Sequence, residues 1–89
     1  MDNRTVAERL LSYAHQLESQ AANLYRVKAY RRAAETVLGL SRPVADVVAQ
    51  QGRKGLQSLP GIGAHLSYTI EGLVRTGELR TLHQDPDAR

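Results

Sequence analysis

The chain has 89 residues with a formal net charge of +3, a size that allows one domain with a modest core and leaves no room for a multi-metal catalytic body. It has no cysteine, which excludes disulfides and thiolate metal sites, and no apolar run as long as a signal h-region or a membrane span, so the expectation is a soluble cytoplasmic protein. The charge is uneven: between Asn23 and Lys54 seven bases stand against two acids, a local +5 that favours a polyanionic partner and leaves the rest near −2.

Thr5-Val6-Ala7-Glu8 fits a capping box and predicts a first helix beginning near Thr5. Val6, Leu10, Leu11, Ala14, Leu17 and Ala21 recur at helical spacing as its apolar stripe, and His15, without a companion at metal-ligand spacing, reads as a solvated surface histidine. A second helix is expected from Asn23–Arg26 to about Leu38. Its inner stripe is Ala29, Tyr30, Ala33, Ala34, Val37 and Leu38. Its outer face carries Lys28, Arg31, Arg32 and Glu35, three bases with one nearby carboxylate, a surplus that suits phosphate. Gly39 fits a C-cap, and Pro43 opens a third helix with Val44, Val47 and Val48 inside and Gly52 at its close. Arg53-Lys54-Gly55 then reads as a basic loop into a short helix with Leu56 and Leu59.

Leu59-Pro60-Gly61-Ile62-Gly63 is the turn on which the rest is organised. A helix from Ala64 to Thr76 follows it, with Leu66, Ile70, Leu73, Val74 and Leu79 on one side and His65, Tyr68, Gly72 and Arg75 elsewhere. Gly77 ends this helix, Leu79 and Leu82 suggest a last short turn, and residues 85–89 read as a tail in which Asp85-Pro86-Asp87 is solvated sequence. No segment alternates with period two, so the fold expected is all-α, four helices plus a short one in a single domain over residues 1–84. At the turn, Gly61 and Gly63 permit angles a Cβ would forbid. They also bring the unpaired N–H groups that open the next helix within reach of a bulky anion, while Ile62 pins the turn to the core.

The full Leu-Pro-Gly-Ile-Gly string between two helices, over about residues 54–76, resembles the helix-hairpin-helix motif, a non-sequence-specific binder of the DNA backbone. With Tyr25-Arg26-Val27-Lys28-Ala29-Tyr30-Arg31-Arg32-Ala33-Ala34, Ile70-Glu71 and Thr76-Gly77-Glu78-Leu79, the chain looks like the lyase-type N-terminal domain of family X DNA polymerases such as polymerase beta. That resemblance implies binding to duplex, nicked or gapped DNA by backbone and 5′ phosphate, in repair or recombination, by a monomer with a repair-protein partner. It implies hairpin donors at Gly61, Gly63, Ala64 and His65. It implies a phosphate-pocket base at Arg26, beside Tyr25 and with Tyr30 shaping the pocket, and it makes Lys28, Arg31 and Arg32 supporting cations. It also implies a Na⁺ or K⁺ ion on the main-chain carbonyls of Gln57, Leu59 and Ile62.

The departures from that pattern bear on catalysis. The position matching the family's Schiff-base lysine is Thr69, which has no amine, and His65 replaces a supporting lysine one turn earlier. The expectation is therefore a non-catalytic DNA-binding module. Two other readings stay open: an abasic-site lyase using Lys28, Lys54 or the N-terminal amine, and a protein-interaction module on a degenerate helix-hairpin-helix scaffold.

Overall fold

A computed structural model of the protein describes residues 1–81. The expectations for Leu82, the tail and Asp85-Pro86-Asp87 lie outside the described residues. Four helices follow one another: α1 (Asn3–Ser19), α2 (Leu24–Leu38), α3 (Val44–Gln57) and α4 (Ala64–Thr76). Among the described residues there is no strand, and no helix is long and apolar enough to cross a membrane.

The cap of α1 differs from the expected one. Asp2, not Thr5, is the N-cap, its carboxylate accepting the Thr5 N–H at 2.8 Å, and the Thr5 hydroxyl first, with that N–H second, holds the carboxyl below its ordinary range. The earlier start puts Asn3 in the first turn, where it does a second job. Its Oδ1 accepts the Val44 N–H at 2.6 Å and its Nδ2 donates to the Arg42 carbonyl at 2.9 Å. Pro43, the N-cap of α3, offers no side-chain cap, so α1 supplies one from 41 residues away.

Val6, Ala7, Leu10, Ala14 and Leu17 of α1 pack against Val27, Tyr30, Ala33, Ala34 and Val37 of α2. Three stripe assignments are corrected: Leu11 and Leu38 remain exposed, Ala21 is exposed beyond the end of α1, and Val27 takes the inner place. The small Ala33 and Ala34 let the two helices approach closely.

α3 runs past Gly52, where a helix end was expected. Gly52 has φ 62 and ψ −151, angles that only glycine holds readily, and they kink the rod without a loop. The expected basic loop Arg53-Lys54-Gly55 is helical instead. Leu56 beyond the kink and Val44, Val47 and Val48 before it reach the same core as Leu66, Ile70 and Leu73 of α4.

Gly77 closes α4 with a left-handed φ of 79, its N–H bonded to the Leu73 carbonyl. Residues 78–81 then fold back along α4 without helix, and the short helix expected to carry Leu56 and Leu59 is the end of α3 instead of a separate element. The strap is fastened by the Thr69 hydroxyl, which donates to the Arg80 carbonyl at 2.6 Å.

Candidate nucleic-acid interface

Leu59–Ile62 forms a type II turn: Pro60 takes the first central position, Gly61 the second with φ 76, and the Ile62 N–H returns to the Leu59 carbonyl at 3.2 Å. Ile62 is buried and anchors the bend, as its place between the glycines requires. Gly63 is the N-cap of α4 and supplies no side-chain cap. Gly61, Gly63 and Ala64 are exposed, and their N–H groups donate to nothing among the described residues. A helix start with bare donors facing solvent carries partial positive charge.

The two glycines differ. A Cβ at Gly63 would meet nothing within 4 Å, so that site is open to whatever approaches from outside. A Cβ at Gly61 would fall 2.5 Å from Nε of Arg32, because the Arg32 side chain lies across the bend. The Thr36 hydroxyl fixes that approach, donating to the Pro60 carbonyl at 2.7 Å. The basic face of α2 and the hairpin thus share one surface. An open groove of about 520 Å³ between them is lined by Lys28, Arg31, Arg32, Glu35, Thr36 and Pro60.

Of the bases assigned to this face, Arg31 is already answered. Its Nη2 lies 2.9 Å from Glu18 of α1, a partner hidden by sequence distance. Arg26, Lys28 and Arg32 are exposed and have no carboxylate partner among the described residues. They supply the uncompensated charge.

Tyr30, placed with the DNA-binding residues as one that shapes the pocket, is 1% exposed and lies beneath the surface, out of direct reach of a ligand. Its hydroxyl lies 3.2 Å from Nε2 of His65, and its ring meets Tyr13 edge-on at 4.9 Å. Burial pushes the Tyr30 hydroxyl up to about 12 and so keeps it neutral. His65 is half-buried at the start of α4. Burial first, and then the charge of Arg26, hold its imidazole below the usual value.

The carbonyls of Gln57, Leu59 and Ile62 suit a monovalent cation as hard oxygen donors. Leu59 already receives the Ile62 N–H on one lone pair, and the other two accept no hydrogen bond from the described residues. Thr69 is fully buried beside Tyr30 and beneath the strap.

Several residues at this end of α4 were not legible as a site. Nη2 of Arg53 donates to the Ala64 carbonyl at 2.9 Å, and Ser67 and Gln57 bond to each other behind it. The guanidiniums of Arg53 and Arg80 lie 5.4 and 4.5 Å from the centroid of the Tyr68 ring. The one sequence signal was Gly72, a glycine inside a helix, over which Arg80 passes: a Cβ there would run into the Arg80 Nε.

A family model described as a helix-hairpin-helix domain matches residues 1–79. No curated protein matches the chain.

Proposed function

The chain belongs to the helix-hairpin-helix domain family, and from that premise we propose that it is a non-catalytic module binding the DNA backbone without sequence specificity, with a preference for gaps or 5′-phosphorylated ends. The observation that carries this reading is Arg32 laid over Gly61, which joins the basic face of α2 to the bare donors of α4 in a single exposed surface. A phosphate against Gly63 and Ala64 receives main-chain N–H bonds, and Arg32, Lys28 and Arg26 supply charge to its neighbours. Contacts to phosphate, whether from main-chain N–H groups or from cations, carry no sequence information, hence the lack of sequence preference. A Na⁺ or K⁺ ion on the hairpin carbonyls of Gln57, Leu59 and Ile62 would add positive charge at the same bend.

The non-catalytic part is supported by Thr69, a buried hydroxyl bonded to a carbonyl where a lyase of the family X type needs an exposed amine. Repair or recombination is the setting that a preference for broken backbone suits, with the monomer as the binding unit, a repair protein as its partner and the cytoplasm as its compartment.

The test is titration of intact, nicked and 5′-phosphorylated gapped duplex at two salt concentrations, with Gly63→Val as the variant. Gly63 has a negative φ and open space where the new side chain begins, so the helical spectrum stays native. The expected Kd is about 10⁻⁴ to 10⁻⁶ M, tightest on the gapped substrate, steeply salt-dependent and weakened several-fold by Gly63→Val on every sequence. Equal binding by the variant would take the hairpin out of the mechanism. No binding to any DNA at low salt would reject the proposal.

A further inference from the structure

Three features of the strap are unfavourable taken singly, and all three involve one guanidinium. Nε of Arg80 is buried without a hydrogen-bond partner among the described residues. Buried N–H groups are nearly always satisfied, so an orphan needs a reason. Gly72 interrupts the interior of α4, where alanine would be better for the helix, and the Arg80 side chain crosses at that point. Arg53 meanwhile stands on the same ring, so two like charges flank Tyr68, and neither has a carboxylate partner among the described residues. An arrangement that concentrates unbalanced charge in this way becomes favourable once an anion is bound.

The position identifies the anion. Tyr68 lies one turn along α4 from Ala64, about 5.4 Å down the helix from the hairpin donors. Arg53 ties the two places together by its bond to the Ala64 carbonyl. Phosphates recur about every 3.4 Å of axis along one DNA strand, so a strand seated on the hairpin carries a neighbouring phosphate past Tyr68. We infer that Arg53 and Arg80, held against the Tyr68 ring, form a second backbone-phosphate site, so that the chain grips consecutive phosphates of one strand instead of a single one. The strap serves to place Arg80: Thr69 holds its carbonyl, the ring and Gly72 fix its side chain, and its outer nitrogens face the strand. The inference rests on the DNA-binding reading above and adds two residues to its surface.

Salt dependence counts phosphates, which makes it the readout. Arg53→Gln and Arg80→Gln should each make the slope of log K against log salt shallower by about 0.9, and the double variant by about twice that. Arg53→Lys and Arg80→Lys keep the charge and should restore most of the slope, which separates phosphate contact from a merely structural role. Thermal melts of the same proteins report any loss of fold, and the comparison is made well below the lowest transition. Slopes equal to wild type in both Gln variants, with Gly63→Val still weakening binding, would overturn this inference and leave the hairpin reading intact. A Lys variant as shallow as its Gln counterpart would also overturn it. A wild-type protein that binds no DNA would overturn both readings together.

Discussion

His65 links packing to binding through one proton. Burial against α2 and the nearby Arg26 favour its neutral form, while the Tyr30 hydroxyl beneath it remains neutral and hydrogen-bonded. With a folded pKa below the unfolded 6.5, the unfolded chain binds more protons as acid is added. The stabilisation from neutral His65 is therefore complete above about pH 6.5 and is lost as the pH falls through the lowered folded value. In the proposed complex DNA would reverse the preference, since a phosphate at the start of α4 would stabilise the imidazolium and offset Arg26. Affinity for gapped duplex should rise between pH 7.5 and about pH 5.5 while thermal stability falls, and His65→Gln should flatten both trends. Titrations and melts across that range check it, and affinity independent of pH would place His65 outside the interface. The neighbouring glycines divide the remaining roles. Gly61 sits at positive φ under Arg32, so any side chain there disturbs fold and surface together, whereas Gly63 isolates the surface.

Among the elements, α3 depends most on a single residue. The angles of Gly52 carry a cost of about 1–3 kcal/mol for any residue with a Cβ, and no neighbouring atom within 4 Å would add to it. Gly52→Ala should thus lower stability by about 1–3 kcal/mol, with about 4–8 °C of melting temperature lost per kcal/mol in a domain of this size. A melt that matches wild type would mean that another geometry carries the kink. The same residue shows where the sequence was readable. Periodicity placed α1, α2, α4 and the first part of α3, because an apolar stripe and a turn are local signals, and the Leu-Pro-Gly-Ile-Gly string located the bend with its buried Ile62. Local signals also misled. Gly52 in a polar stretch looks like a terminus, since nothing nearby tells a kink from a stop, and Thr5 looked like a cap because Thr5 and Glu8 have capping-box spacing, whereas the Thr5 N–H is itself taken by Asp2 one turn earlier. What no window of sequence held were the long-range contacts: Asn3 capping α3, Glu18 answering Arg31, Arg32 crossing Gly61 and Arg80 crossing Gly72. Each joins residues at least 8 positions apart by side-chain reach alone.

At the scale of the whole molecule, two helix pairs share one small core. The radius of gyration of 12.3 Å is close to the value of about 12 Å expected for one compact unit of this length. A core this size leaves the relative setting of the pairs to polar ties. Asn3 joins α1 to the start of α3, Nη1 of Arg9 reaches the Gly77 carbonyl at 3.1 Å, and Thr36 holds Pro60. These ties should separate by function. Asn3 caps an otherwise uncapped helix in a partly buried place, so Asn3→Ala should cost about 1–2 kcal/mol of stability. Its contacts are to Arg42 and Val44 rather than to the hairpin, and affinity below the transition should be unchanged. Thr36→Val keeps the shape but removes the bond that sets α2 against the hairpin. Its stability loss should be about 0.5–1.5 kcal/mol. Its affinity loss should be several-fold, because Lys28 and Arg32 lose their register against the donors of Gly63 and Ala64. Melts and gapped-duplex titrations on the two proteins decide the matter. If Thr36→Val binds as wild type does, α2 and the hairpin contribute to DNA binding independently, and the surface they share is a coincidence of packing.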